Sequence, residues 1–298
     1  MRERDDIVPA MSQDRLDASL DIDRRSTLEI IRIIQQQDAL VAPAAAREAE
    51  RIAHAVDEIA NRMSHGGRLF YAGAGTSGRI AMLDAAELPP TFGIDRELVR
   101  VLMAGGERAF FDAVEGAEDD EDDAIATVER EVCADDALIG IAASGTTPYT
   151  VAAVRKANMI GALTVGITSV SNSPLAQEAD IAIVVETGPE VIMGSSRMKS
   201  GTAQKLVLNA ISTAVMIKLG HVYSNLMIDM PATNEKLRNR AVRMVELAAE
   251  VPRPAAVQAL REAEGNVKLA TVIAKKRIDA AAARKLLDGR NLREVLEA

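Results

Sequence analysis

Two glycine-containing turns that carry hydroxyl side chains are the clearest chemical feature of this sequence. The first is GAGTSGR at 73–79, where Gly75, Thr76 and Ser77 follow a short apolar run. The second is IAASGTTPY at 141–149, which also follows an apolar run. Where a strand of a parallel sheet turns into a helix, free backbone N–H groups and the helix dipole together favour anions. Both turns are therefore candidate phosphate sites.

The second turn is richer in hydroxyl groups than the first. Ser144, Thr146 and Thr147 cluster within it, around Gly145. Pro148 suits the first turn of a following helix, so this turn also leads from a strand into a helix. Because parallel strands end at the same edge of a sheet, we expect both turns to lie at one edge, where ligands of such folds bind.

A third stretch, GSSRMKSGT at 194–202, precedes a long helical segment. Ser195, Ser196 and Lys199 are weaker candidates for contacts with the same ligand. A capped helix with solvated charges explains this stretch equally well.

The glycine spacing of the first turn is also that of dinucleotide sites. Such sites require an acidic residue at the tip of the next strand, about 20 residues farther on. The next apolar run, 98–104, ends beyond that distance. A nucleotide-dependent oxidoreductase is therefore the least favoured function.

Glutamates supply candidates for acid–base chemistry, but spacing alone does not select among them. Glu87 lies near the end of an Ala-rich helical stretch, and we expect Pro89-Pro90 to stop that helix. The helix dipole disfavours a glutamate at a helix C-terminus, which indicates another reason for its presence. Glu118 lies at the start of the acidic run 115–123, whose simplest interpretation is a solvated helix start.

Composition limits the classes of function. The 298 residues include 35 Lys and Arg and 44 Asp and Glu, a formal net charge of −9. This acidity disfavours nucleic acid and anionic membranes as partners, and an aromatic content of 2% leaves few platforms for stacked bases. A single cysteine excludes an intrachain disulfide, and with only three histidines we expect no metal site. No signal-peptide pattern and no apolar stretch of about 18 residues occur, which predicts a cytoplasmic protein.

Alternating apolar runs and helical stretches predict the fold class. They predict an α/β protein with a doubly wound, five-stranded parallel sheet and helices on both faces, followed by a small all-helical C-terminal domain. The expected domains are a polar arm over 1–24, a sheet domain over 25–239 and a helical domain over 240–298. The expected strands lie at 68–72, 98–104, 137–143, 162–168 and 181–185.

Helical periodicity places the main helices. The first begins after Ser26, which forms a possible capping box with Glu29. Further helices are expected at about 43–64, 198–219, 253–263, 266–276 and 278–288.

Together these motifs resemble the N-acetylmuramic acid 6-phosphate etherase family of the sugar isomerase (SIS) superfamily. GAGTSGR, DAAELPPTFG, AVEGAED, IAASGTTPY, GSSRMKSGTAQKLVLN and NLMIDMPATNEKL occur in the family's order over about residues 25–240. The helical tail also resembles the family's small C-terminal domain. Three positions depart from the pattern, since Thr146 replaces a common Arg, Phe92 a common Tyr and Ser200 a common Ala.

The resemblance implies a lyase of cell-wall recycling that requires neither metal nor cofactor. The family cleaves the lactyl ether of N-acetylmuramic acid 6-phosphate to give N-acetylglucosamine 6-phosphate and D-lactate. Glu87 matches the acid that protonates the departing lactate and later activates water, and Glu118 matches the second catalytic acid, the expected base at carbon 2. The implied phosphate and sugar contacts are Gly75, Thr76, Ser77, Ser144, Gly145, Thr146 and Thr147, with Ser195, Ser196 and Lys199 less securely matched.

The resemblance also implies a homodimer, because sites of the family use both subunits. Two alternatives share this fold, namely a non-catalytic regulator that senses sugar phosphates and an aldose–ketose sugar phosphate isomerase. The presence of both Glu87 and Glu118 favours the enzyme over the regulator. The etherase-like stretches DAAELPP and VEGAED argue against the isomerase.

Overall fold

A computed structural model describes residues 14–232 and 234–298. It contains a five-stranded parallel sheet with the strand order β2-β1-β3-β4-β5. The predicted sheet and its strands are confirmed, and β1, β3 and β4 are buried along their whole length, as in parallel sheets covered on both faces. The strands are β1 (Leu69–Gly73), β2 (Val99–Met103), β3 (Ala137–Ile141), β4 (Leu163–Thr168) and β5 (Ile181–Val184).

Helices cover the sheet on both faces because successive residues of a strand point to opposite sides. Phe70 of β1 packs in one apolar cluster with Val128 of α5 and Val154 of α6. On the opposite face, Tyr71 donates a hydrogen bond to Asp84 of α4 at 2.9 Å. The helices up to this point in the chain and the long one that follows the sheet are α1 (Thr27–Asp38), α2 (Val41–Ala46), α3 (Ala49–Ser64), α4 (Gly75–Phe92), α5 (Glu121–Glu131), α6 (Pro148–Ile160), α7 (Pro174–Glu178) and α8 (Lys199–Lys218).

The capping box expected at the start of α1 is present. Ser26 Oγ accepts a hydrogen bond from Glu29 N at 3.4 Å, and the Glu29 carboxylate accepts one from Ser26 N at 2.9 Å.

The single helix predicted over 43–64 was wrong, because the chain breaks it into α2 and α3. The amides of Arg47 and Glu48 bond to carbonyls three residues back, which tightens the chain at this point. The carboxylate of Glu48 accepts a hydrogen bond from Val184 N at the edge of β5 instead of continuing a helix surface.

The expectation that Pro89-Pro90 stops α4 was also wrong, since the helix continues to Phe92. Proline lacks an N–H and its ring crowds the carbonyl four residues back, but its φ is helical, and the next turn still closes because Gly93 N bonds to the Pro89 carbonyl at 2.9 Å. Thr91 Oγ1 donates to the carbonyl of Glu87 at 2.7 Å. Gly93, with φ +66°, then ends the helix.

The C-terminal part of the chain is mainly helical and has its own apolar core. A short antiparallel hairpin, β6 (Val222–Tyr223) with β7 (Leu226–Met227), precedes the helices and was not predicted. The three predicted C-terminal helices are confirmed as α10 to α12, and α13 was missed. The helices are α9 (Glu235–Ala249), α10 (Arg253–Glu262), α11 (Val267–Lys276), α12 (Ala280–Leu287) and α13 (Leu292–Glu297).

By its contacts the described chain divides into two compact units. The first comprises residues 14–85 with Glu97–Thr213, and the second comprises Ala86–Arg96 with Ala214–Ala298. The domain boundaries expected after residues 24 and 239 stay predictions. Within residues 14–232 and 234–298, no helix combines the length and the apolar character needed to cross a membrane.

Candidate active site

The turn between β1 and α4 depends on two glycines, Gly78 for a close approach and Gly75 for a positive φ. A Cβ on Gly78 would lie 2.1 Å from Met103 Sδ and 2.9 Å from the carbonyl oxygen of Gly73. Gly75 begins α4 with φ +53° and has open space where a side chain would be. The first amides of α4 have no partner within the helix, so this turn presents donors suited to an anion.

The second turn leaves the sheet beside the first, as expected from parallel strands. β3 pairs with β1, and Gly73 is in register with Ile141, so both turns start at the same level of neighbouring strands. Gly145 has φ +67°, and a Cβ there would lie 2.1 Å from Ser173 Oγ. Only glycine fits at this position, which fixes the path of the hydroxyl-bearing turn.

The hydroxyls of the second turn are arranged in a defined way. The backbone amide and the hydroxyl of Thr146 both donate to Ser144 Oγ, at 3.2 Å and 2.9 Å. Because a hydroxyl oxygen can accept two bonds and still donate one, the hydrogen of Ser144 is left for a ligand. Thr147 precedes α6 without using its side chain as a cap. Thr146 therefore orients Ser144.

The third stretch lies against the first turn of α4. A Cβ on Gly201 would lie 3.6 Å from Thr76 Cγ2 and 3.4 Å from Ile80 Cδ1. Ser195 and Ser196 are half-buried in the turn before α8. Ser77 itself is 9% exposed.

Lys199 is placed differently from a surface ligand. It is 1% exposed, and its Nζ donates to Gln37 Oε1 of α1 at 3.0 Å. Burial lowers the pKa of its ammonium, and the charge of Glu190 opposes that shift. Within the chain, the ammonium of Lys199 is thus already engaged.

Glu190 is a buried carboxylate that the sequence analysis missed. It is 2% exposed and accepts hydrogen bonds from the amides of Lys199 and Ser200, each at 3.0 Å. A negative charge at the N-terminus of a helix is stabilised by its dipole. Glu190 therefore occupies the anion position of α8, which leaves the turns before α4 and α6 as the better phosphate sites.

A cavity of about 340 Å³ lies between the start of α4 and the segment 112–118. Of the predicted site residues among those described, it brings together Gly75 and Glu118. Arg79, Asp112 and Glu115 also line it. Three carboxylates against one guanidinium disfavour a phosphate and suit proton transfer.

Glu87 and Glu118 are both exposed side chains in the described chain. Glu118 lies in the short 3-10 helix Ala117–Asp119 of the first unit, whereas Glu87 belongs to the second unit. Their joint action on one substrate stays a prediction. No cluster of three His, Cys, Asp or Glu side chains within the described ranges has the arrangement of a metal site.

Arg79 is the second residue that the sequence analysis missed. It is four positions after Gly75 in α4, and the helical repeat places positions i and i+4 on one face. That spacing was the available signal, because it predicts a guanidinium on the same side of the helix as the glycine turn.

Two protein families match parts of the chain. The SIS domain family matches residues 110–214, and the family described as the glucokinase regulatory protein N-terminal SIS domain matches residues 51–158.

Curated relatives match nearly the whole chain. An N-acetylmuramic acid 6-phosphate etherase of Symbiobacterium thermophilum is 55% identical over 88% of this chain and 87% of its own length. The etherase of Clostridium beijerinckii is 49% identical over 93% of this chain and 91% of its own length.

Solved structures share the fold at low sequence identity. The phosphoheptose isomerase of Francisella tularensis superposes with a TM-score of 0.53 and 20% identity, over 65% of this chain and 100% of that one. The phosphoheptose isomerase of Neisseria gonorrhoeae gives a TM-score of 0.51 and 17% identity, over 64% of this chain and 98% of that one. Sheet order and superposition thus agree on a SIS fold, and the extent of identity to the etherases places the chain in the N-acetylmuramic acid 6-phosphate etherase family.

Proposed function

We propose that this chain is a carbon–oxygen lyase that converts N-acetylmuramic acid 6-phosphate and water into N-acetylglucosamine 6-phosphate and D-lactate. The observation that carries the proposal is the identity of 46% to 55% with proteins named as this etherase, over 88% to 96% of the chain. Matches of that length extend over both turns and the acidic segment.

The reaction requires an acidic proton on carbon 2 of the ring-opened sugar. The aldehyde at carbon 1 withdraws electrons, so a carboxylate base can remove that proton. The C3–O bond then breaks, a C2–C3 double bond forms, and a carboxylic acid donates a proton to the departing lactate oxygen. Water then adds at carbon 3, and the group that removed the carbon-2 proton returns a proton to carbon 2.

Glu118 is the proposed base at carbon 2. It lines the cavity beside Gly75, at the edge of the sheet where the glycine turn begins α4. The hydroxyls of Ser144 and Thr147, with Ser144 oriented by Thr146, and the first amides of α6 would bind the phosphate. This arrangement separates the phosphate from the carboxylates of the cavity and so avoids repulsion between like charges.

Glu87 is the proposed acid that protonates lactate. A carboxylic acid stays protonated near neutral pH only when it is desolvated or lies beside another negative charge. Because Glu87 is exposed in the single chain, substrate or a second subunit would have to cover it.

We propose a cytoplasmic homodimer as the working form. Among the residues that the structure describes, the amphipathic α1 has no buried residue, and Leu28 and Ile31 on it are 58% and 45% exposed. Leu83, one helical turn before Glu87 on α4, is 55% exposed. Apolar side chains of a regular helix are normally covered, and a second copy of the chain would cover them.

The direct test is release of D-lactate from N-acetylmuramic acid 6-phosphate by the purified protein. Unphosphorylated N-acetylmuramic acid serves as the substrate control, and Glu118→Gln as the enzyme control. We expect lactate in stoichiometric amounts from the phosphorylated sugar alone. Tight binding without lactate would identify a sugar-phosphate-sensing regulator, and formation of a ketose would identify an isomerase.

A further inference from the structure

We propose that Arg79 is a positioning residue that holds the Glu118-bearing segment against α4. The proposal rests on the proposed function, because it explains how that function's base is kept in place. It also makes a structural claim about residues 107–119 that is independent of any substrate.

Arg79 makes two long-range hydrogen bonds, both to backbone carbonyls. Its Nε donates to the carbonyl oxygen of Phe110 at 3.2 Å, and its Nη2 donates to that of Asp112 at 3.2 Å. The planar guanidinium fixes the directions of its donors, so two bonds define both the position and the orientation of the segment.

The segment itself has little packing to hold it. Within 107–120 only Ala109 is buried, and Phe111 is 88% exposed. Its regular structure consists of two 3-10 helices, Glu107–Phe110 and Ala117–Asp119. Segments with few buried contacts open locally at low free-energy cost, so an anchoring contact has a large effect on their order.

The other end of the contact is rigid. Arg79 lies in the second turn of α4, and Asp84, farther along α4, accepts a hydrogen bond from Tyr71 of β1 at 2.9 Å. Because α4 is fixed to the sheet, the hydrogen bonds of Arg79 hold the segment in a fixed position relative to the sheet. The same segment passes close to Gly105, since a Cβ added there would lie 3.0 Å from Val114 Cβ and 3.1 Å from Ala117 Cβ.

Arg79 also lines the cavity that contains Glu118. Two of its five N–H groups are used on the carbonyls, so the remaining donors are available to the cavity. Its positive charge offsets part of the negative charge of Asp112, Glu115 and Glu118, which line the same cavity.

The first measurement is amide hydrogen exchange over residues 107–119 without substrate. We expect Arg79→Ala to exchange at least tenfold faster in this segment than the unaltered protein. Arg108→Ala is the matched control, because it removes an equal charge from an exposed arginine of the same segment, and its exchange should be unchanged. Arg79→Lys should behave like Arg79→Ala, since an ammonium lacks the planar set of donors that can bond to both carbonyls at once.

The second measurement separates positioning from general stability. We expect Arg79→Ala to lower kcat for lactate release about 100-fold with KM changed less than threefold, because a small displacement of a catalytic group has that effect. Added guanidinium ion should restore part of kcat in Arg79→Ala and none in Glu118→Gln. If Arg79→Ala does not fold, Arg79→Gln provides the same comparison.

Unchanged exchange in Arg79→Ala and Arg79→Gln would overturn the proposal. So would a loss confined to the affinity for phosphorylated sugars, which would make Arg79 a phosphate ligand instead. If the unaltered protein releases no lactate, the proposed function fails, and the exchange experiment still decides whether Arg79 holds the segment.

Discussion

At the scale of single residues, two glutamates compete for the role of base. Glu115 and Glu118 line the same cavity and belong to the same segment. We expect Glu118→Gln to reduce exchange of the carbon-2 proton with solvent deuterium by about 10²- to 10⁴-fold, the usual contribution of a general base. Glu115→Gln is the matched control and should retain most of the exchange. Retained exchange in Glu118→Gln would assign the base to another group.

Ser144 is the hydroxyl whose arrangement is best defined. Thr146 donates to it twice, so its own hydrogen can go to a phosphate oxygen. We expect Ser144→Ala to weaken N-acetylglucosamine 6-phosphate binding about tenfold, because a hydrogen bond to a charged group contributes about 1.5–3 kcal/mol. Binding of unphosphorylated N-acetylglucosamine should change much less in a calorimetric titration. Equal weakening of both sugars would move the phosphate to another turn.

At the scale of elements, a buried carboxylate joins α4 to its neighbours. Asp84 is 5% exposed and accepts hydrogen bonds from Tyr71 Oη at 2.9 Å, Asn209 Nδ2 at 2.6 Å and Ser212 Oγ at 3.1 Å. It thereby joins β1, α4 and α8. We expect Tyr71→Phe to lower the free energy of unfolding by about 1–2 kcal/mol at pH 7, measured by urea denaturation.

The same pair predicts a pH dependence. Burial, followed by the charge of Asp84, raises the pKa of Tyr71 well above its usual value. Because an unfolded tyrosine ionises near pH 10, the stabilisation is complete below that pH and is lost as the pH rises toward the folded pKa.

The difference in free energy of unfolding between the unaltered protein and Tyr71→Phe should therefore become smaller above pH 10. Because one proton is involved, the difference between the two free energies of unfolding can change by at most about 1.4 kcal/mol per pH unit. A difference in free energy of unfolding that stays constant from pH 8 to pH 11, measured by urea denaturation, would contradict this expectation.

At the scale of the whole molecule, the exposed apolar residues of α1 predict the oligomeric state. We expect the unaltered protein to be a dimer by light scattering. Ile31→Glu should shift it toward monomer and lower lactate release, because a charge would be buried in the interface. Met159→Glu is the matched control, since Met159 is 75% exposed on α6. This substitution should leave the measured mass of the protein unchanged. A monomer with full activity would refute the homodimer.

Local patterns in the sequence were sufficient to predict the sheet, most helices and the two candidate phosphate turns. These features are local, since apolar periodicity, glycines and caps act over a few neighbouring residues. The family resemblance, and not spacing, raised Glu87 and Glu118 above other surface acids. The expectation failed at Pro89-Pro90, where the helix continues to Phe92 through bonds that do not need the missing proline N–H groups.

Contacts between distant parts of the chain could be identified from the folded structure alone. It placed the Lys199 ammonium against Gln37 and put the Glu190 carboxylate at the start of α8. It also joined Arg79 to carbonyls 31 and 33 residues away. Such pairs depend on how helices pack over the sheet, and the residue types at their ends carry no sign of which partner they will meet.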